Sequence, residues 1–206
     1  MRPTLHWRTF LVALIATYGA ITLAAVAFVY HGFFDIAADV PHWEATRWVM
    51  ETARIRAIKA HAAGITVPPG LDDPAKIQFG VEHYAMHCAV CHGAPGVPHG
   101  DIAEGLNPAP PNLAVAAPLY SDAELFWILK HGIKMTGMPS WSDHDDDDLW
   151  AIVAFLKKLP GMNEADYAKL VMANVMRGAM HHHGTDAPAG EAPQGKPATP
   201  ADQDHP

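Results

Sequence analysis

Cys88-Ala89-Val90-Cys91-His92 holds both cysteines of this 206-residue chain, and its C-x-x-C-H spacing is the pattern of covalent haem attachment. Each thiol can add across one haem vinyl group. Two intervening residues let one turn of backbone present both sulfurs to one edge of the ring, and the next residue brings an imidazole beneath the iron. A C-x-x-C pair has two other readings, a dithiol redox site and half of a zinc site. A dithiol site has no need of the following histidine, and a structural zinc would want two more ligands close by.

A haem held this way needs a sixth ligand, or an open position if it is to bind a small molecule; a Met/His pair raises the potential and suits electron transfer. Downstream lies Lys134-Met135-Thr136-Gly137-Met138-Pro139-Ser140-Trp141. Glycine and proline shape a tight excursion here rather than a helix. Met138 is the preferred ligand, because Gly137 allows close backbone approach and Pro139 stiffens the far side. Met135 is the reserve, and one of the two methionines only fills a gap.

These residues, with their surroundings, resemble the class I monohaem c-type cytochromes over about residues 75–161. Gly80, Tyr84 and Cys88 stand at the spacing by which that family's first helix presents a small residue and an aromatic before the haem cysteines. Asp148-Leu149-Trp150-Ala151-Ile152-Val153-Ala154-Phe155-Leu156-Lys157 is similar to its last helix, with Phe155 at the aromatic position that packs on the first. Gly137-Met138-Pro139 is similar to the axial-methionine loop. Pro108-Ala109-Pro110-Pro111-Asn112-Leu113 resembles the proximal proline loop, in which the carbonyl of Pro110 or Pro111 would accept a hydrogen bond from His92 and tune it. The resemblance implies an all-α fold, one covalently attached haem c on Cys88 and Cys91, and iron ligation by His92 and Met138.

Residues 10–30 contain no charged side chain and as a helix span about 31 Å, enough for a bilayer core. Arg2 and Arg8 precede this run and Asp35 and Asp39 follow it. That asymmetry places the N-terminus in the cytoplasm and the rest across the membrane, on the periplasmic face of a bacterial inner membrane. Ala25-Val26-Ala27 imitates a signal-peptidase site, but the apolar run continues through Phe28, Val29 and Tyr30 and is longer than a typical signal core, so a retained single-pass anchor is favoured.

The expected organisation is a cytoplasmic N-terminus (1–8), an anchor (9–31), a juxtamembrane helix with a proline-rich linker (32–74), the haem domain (75–161), a further helix (162–180) and a disordered tail (181–206). The juxtamembrane helix is expected over residues 42–61, with Trp48, Val49, Thr52 and Ile55 at helical spacing and Arg47, Arg54, Arg56 and Lys59 on other faces. It would either lie on lipid phosphates or pack on the haem domain as a collar. Within the haem domain, helices are expected over 75–87, 121–131 and 143–159, the middle one capped by Ser121 or Asp122. The acidic run Asp145 to Asp148 reads as a first helical turn rather than a metal site. Trp127, Trp141 and Trp150 read as core and pocket walls, and one of them could reach a haem propionate through its indole N–H. His83 and His87 share one helix face, but with no third ligand evident they read as surface polarity. A second haem on His31, His42 or His61 would need a partner helix that the chain lacks.

The net charge of −8 argues against nucleic acid as a partner. Phosphate-cradling glycine loops and serine–histidine–acid constellations are absent from the sequence. The expected role is therefore a membrane-anchored one-electron carrier rather than an enzyme. Its partners would be the lipid bilayer and, by resemblance, a quinol-oxidising complex, a terminal oxidase or a periplasmic dehydrogenase. Two alternatives stand beside it, a haem-bearing subunit of a larger respiratory or dehydrogenase complex and a haem sensor of small ligands.

Overall fold

A computed structural model describes residues 4–182; residues 1–3 and most of the proposed tail, 183–206, lie outside the described residues. The regular structure of the described residues is helical, with no strand beyond one isolated bridge between Ala94 and Val97. The first helix, α1 (Thr4–Tyr30), contains one stretch, His6–Tyr30, long and apolar enough to cross a membrane, and its most apolar window buries nothing against the rest of the chain. At its end Phe28 meets Phe33 and Trp43, and Phe34 meets Trp43 edge-on at 5.6 Å, so a small aromatic cluster folds the chain back toward the next helix.

That helix, α2 (Glu44–Ala62), lies against the haem-side body. Its buried face is Ile58 and Ala62, not the Trp48–Val49 side that spacing suggests, where Trp48 stays 67% exposed. Ile58 packs inward, and His61 stacks on Trp127 at 5.5 Å and 8°. The collar arrangement is therefore the observed one. The salt bridges Arg47–Glu44 and Arg47–Glu51 occupy the outer face. Asn107 Nδ2 donates to the Val40 carbonyl at 3.1 Å and ties the preceding linker to the same body.

The body is built around two crossing helices, α3 (Pro74–His83) and α8 (Asp146–Leu156). Asp73 caps α3 by accepting from the Ala75 N–H at 2.9 Å, and Pro74 occupies the first turn, where its missing N–H costs nothing. Every α8 residue from Leu149 to Leu156 is buried. A helix apolar on all sides must be covered on all sides, and α3, α7 (Asp122–His131) and α9 (Glu164–His182) provide that cover. At the crossing Gly80 lies against the Ala151 carbonyl with no room for a Cβ, which lets the two backbones touch. Tyr84 meets Phe155 there at 5.0 Å, the aromatic pair that the resemblance implies.

The expected helix over 75–87 is interrupted. After α3 the chain makes a widened turn over Tyr84–Cys88 with one extra residue, then resumes as α4 (Ala89–His92). Short helices α5 (Asp101–Glu104) and α6 (Leu113–Ala116) punctuate the following loop. Ser121, not Asp122, caps α7, and with Glu124 it forms a reciprocal capping box. The last helix of the expected domain is shorter than 143–159. Its first turn follows Asp145 and carries Asp146, Asp147 and Asp148, the acidic turn that the helix dipole favours. Helix α9 is no appendage: Gln78 Nε2 donates to the Leu170 carbonyl at 2.7 Å, Asn174 Nδ2 donates to the Gln78 carbonyl at 2.9 Å, and Tyr167 is buried near Phe155.

Candidate functional site

The helix turn Ala89–His92, the proline loop and the loop after α7 enclose one cavity of about 390 Å3, within the size range of cofactor pockets. Cys88, Cys91 and His92 line it, and so does Met138. Between them the walls are apolar, among them Leu113, Leu125, Leu129 and Ile152.

Cys88 is buried and Cys91 half-buried, and the two are not joined in a disulfide. Burial pushes the Cys88 thiol up to about 12, with Cys91 adding to the shift. Among the described residues no group of three or more histidine, cysteine or acidic side chains is arranged to hold a metal ion, so the donors that a structural zinc would need beside this pair are not assembled. Two apolar-walled sulfurs followed at once by an imidazole fit thioether attachment.

His92 Nδ1 lies 2.8 Å from the Pro111 carbonyl oxygen, so Pro111 rather than Pro110 makes the expected contact. A carbonyl only accepts, so Nδ1 carries the proton and Nε2 is left with a free lone pair, on a residue that lines the cavity. Burial lowers the His92 pKa, opposed by that hydrogen bond, and the net direction favours the neutral, ligating imidazole. Tyr84 donates to the Gly93 carbonyl at 2.6 Å and braces the chain immediately after the histidine.

Met138 is half-buried on the cavity wall, whereas Met135 is 72% exposed and adopts a left-handed φ of 61° at the loop tip. The loop is held from within: Thr136 Oγ1 donates to the Ile133 carbonyl at 2.7 Å and accepts from the Met138 N–H at 3.1 Å. Ser140 Oγ donates to the Lys130 carbonyl at 2.8 Å. Gly137 lines the cavity, and a Cβ there would lie 2.6 Å from the tip of the Leu106 side chain, which lines it too.

Of the three tryptophans, Trp141 lines the cavity and Trp150 is core, stacked on Phe126 at 4.2 Å. Trp127 is not a pocket wall; it sits between His61 and His131 at the collar. His144 joins His83 and His87, with ring centres 6.1 to 6.5 Å apart. His87 also meets Trp141 at a tilt and His144 meets it edge-on, and the cluster reaches the cavity edge through His87.

Spacing within the haem segment gave no sign of Arg54 and Ile58, which reach the cavity from α2. Their separation of four residues on one helix face was the available signal.

Two apolar-walled sulfurs, a tautomer-fixed imidazole and a thioether on the wall of one cavity are the donors that a c-type haem would need. Residues 75–156 match the family described as cytochrome c oxidase, cbb3-type, subunit III. A curated relative, quinohemoprotein alcohol dehydrogenase from Comamonas testosteroni, is 27% identical over 139 residues, covering 65% of this chain and 19% of the relative. The chain thus spans about a fifth of that relative's length. Residues 75–156 are a cytochrome c domain, which implies covalently bound haem c and is consistent with a monohaem c-type cytochrome.

Proposed function

We propose that this chain is a membrane-anchored electron carrier in which His92 and Met138 ligate the haem iron. The observation that carries the reading is the lining of one cavity by Cys88, Cys91, His92 and Met138, with His92 Nδ1 tied to Pro111. Haem c, once attached, supplies a one-electron couple. Cys88 and Cys91 would hold the macrocycle and His92 and Met138 the metal, with the leucine-lined walls excluding water, which together would tune the potential. Helix α1 retains the domain at the membrane, with Arg2 and Arg8 on the cytoplasmic side and the haem domain in the periplasm. Tethering raises the effective concentration of the domain near membrane partners, which would be a quinol-oxidising complex, a terminal oxidase or a periplasmic dehydrogenase.

The test is the absorption spectrum of the full chain made in cells with the haem-attachment machinery. A c-type reduced spectrum, together with the weak near-infrared band of an oxidised iron–methionine bond, is expected. Met138→Ala should abolish that band and open the reduced form to carbon monoxide, while Met135→Ala leaves both unchanged. A band that survives Met138→Ala refutes the ligand assignment, and carbon monoxide binding by the unaltered chain favours a small-ligand sensor.

A second reading, an electron-transfer subunit of a larger oxidoreductase, is favoured by the dehydrogenase relative. Exposed Met172, Val175 and Met176 on α9 offer an apolar strip for such an assembly. Migration of the chain as a lone monomer from gently solubilised native membranes would argue against it.

A further inference from the structure

We propose that Arg54, on the collar helix α2 outside the cytochrome c domain, is a haem-propionate ligand, so that the segment joining anchor to domain completes the cofactor site. The inference rests on the haem reading above and deepens it. Arg54 is the one permanently charged side chain among the described residues lining the cavity. Its Nε is buried without a hydrogen-bond partner, while Nη2 makes only a long ion pair with Glu51 at 3.9 Å, beyond hydrogen-bond reach. The side chain as a whole is 36% exposed, so the guanidinium is divided between the cavity and its rim.

A buried, unpaired guanidinium N–H is costly, and its planar fork fits a carboxylate in preference to a neutral wall. Haem carries two carboxylates, and Arg54 is the cavity's fixed cation to receive one. The helix that carries it is held in register. Ile58, one turn along, is 1% exposed and lines the same cavity. His61 stacks on Trp127 of α7, and Asn107 grips the linker at Val40. These contacts aim Arg54 inward from a segment outside the matched residues 75–156.

Pairing with a cation holds the propionate ionised, and a positive charge near the iron disfavours its oxidised state. The experiment compares the reduction midpoint of the full-length holoprotein with that of Arg54→Gln between about pH 5 and pH 9, a range chosen to cover carboxylates raised from their usual values. Arg54→Gln should lower the midpoint at neutral pH by about tenfold in the reduction equilibrium, which is about 59 mV for one electron. It should also displace the proton-linked fall of the midpoint upward by about one pH unit or more. A merely structural loosening of α2 would not move that proton linkage. Arg54→Lys keeps the charge without the fork and should show the same upward displacement to a smaller extent, and it serves if Arg54→Gln does not accumulate. Holoprotein with an intact His/Met spectrum and an unchanged midpoint and pH profile in either variant overturns the Arg54 assignment alone. A parent chain that attaches no haem overturns it together with the function on which it rests.

Discussion

The crossing of α3 and α8 at Gly80 offers the sharpest test of how the haem-bearing helix is held. Replacing Gly80 by alanine places a Cβ 2.6 Å from the Ala151 carbonyl carbon, closer still to its oxygen, and 3.0 Å from Phe155 Cβ. Carbon contacts are comfortable at about 3.5–4.0 Å, so the two backbones must part by about 1 Å. Neither obstacle is a flexible side-chain end that could swing aside. The parting loosens packing around Val81, Tyr84, Val153 and Phe155, all under 2% exposed. Overpacking usually costs about 1–3 kcal/mol, and backbone obstacles place this site at about 3. Alanine's better helix propensity returns about 1 kcal/mol. The net loss of about 2 kcal/mol corresponds to a fall of about 8–16 °C in Tm for a domain of this size. Thermal unfolding of the full-length holoprotein in detergent, followed by circular dichroism, measures it, with α1 contributing a constant baseline. A Tm within about 3 °C of the parent would refute the claim that backbone contact at Gly80 sets the crossing.

Two further substitutions probe the frame around His92 and Met138. Tyr84→Phe leaves the buried Gly93 carbonyl without its 2.6 Å donor and should cost about 1–2 kcal/mol. Burial raises the Tyr84 pKa above its ordinary 10.0, so the neutral phenol's stabilisation is complete below pH 10.0 and is lost as pH rises through the raised value; Tyr84→Phe should flatten that alkaline decline in unfolding measured from about pH 9 to about pH 11. Ser121→Ala removes half of the α7 capping box and should lower stability by about 1 kcal/mol in the same assay. An unchanged midpoint would show that the α7 start is held by its tertiary contacts instead.

Much of the site was readable because its chemistry is local. C-x-x-C-H is a contiguous run, and Gly137-Met138-Pro139 carries its turn-forming residues beside the thioether. Each announces itself without knowledge of the fold. The collar was not readable in this way. Trp48, Val49 and Ile55 have the apolar character of a buried face, yet the helix turns Ile58 and Ala62 inward. What decides the face is the position of α7 and its Trp127, a long-range contact that no period within α2 encodes. The choice between Pro110 and Pro111 was open for a similar reason. Both carbonyls are possible acceptors, and only the path of the loop across His92 separates them. His144 reaches His83 and His87 across 57 residues or more of sequence, so its company could not be seen in the spacing of the first helix.

The widened turn at Tyr84–Cys88 shows why a motif and its helix must be read together. Along a regular helix each residue advances about 100°, so one extra residue rotates everything beyond it by that amount. Gly80, Val81, Tyr84, Cys88 and Ala89 are all buried. An uninterrupted helix would spread them over about 180°, with Ala89 opposite Gly80. With one residue absorbed by the wide turn they contract into an arc of about 120°. The same rotation carries His92 onto the face of Gly80 and Tyr84. There the Pro111 carbonyl meets Nδ1 and Nε2 is left for the cavity that Met138 also lines. The interruption of the expected helix is thus what reconciles two demands on one segment. Its first half must bury Gly80 and Tyr84 against α8, and its second half must bring Cys88, Cys91 and His92 to the cavity wall. Widened turns recur at functional sites because they re-aim side chains without breaking the helix. Here the re-aimed residues are the ones on which haem attachment depends.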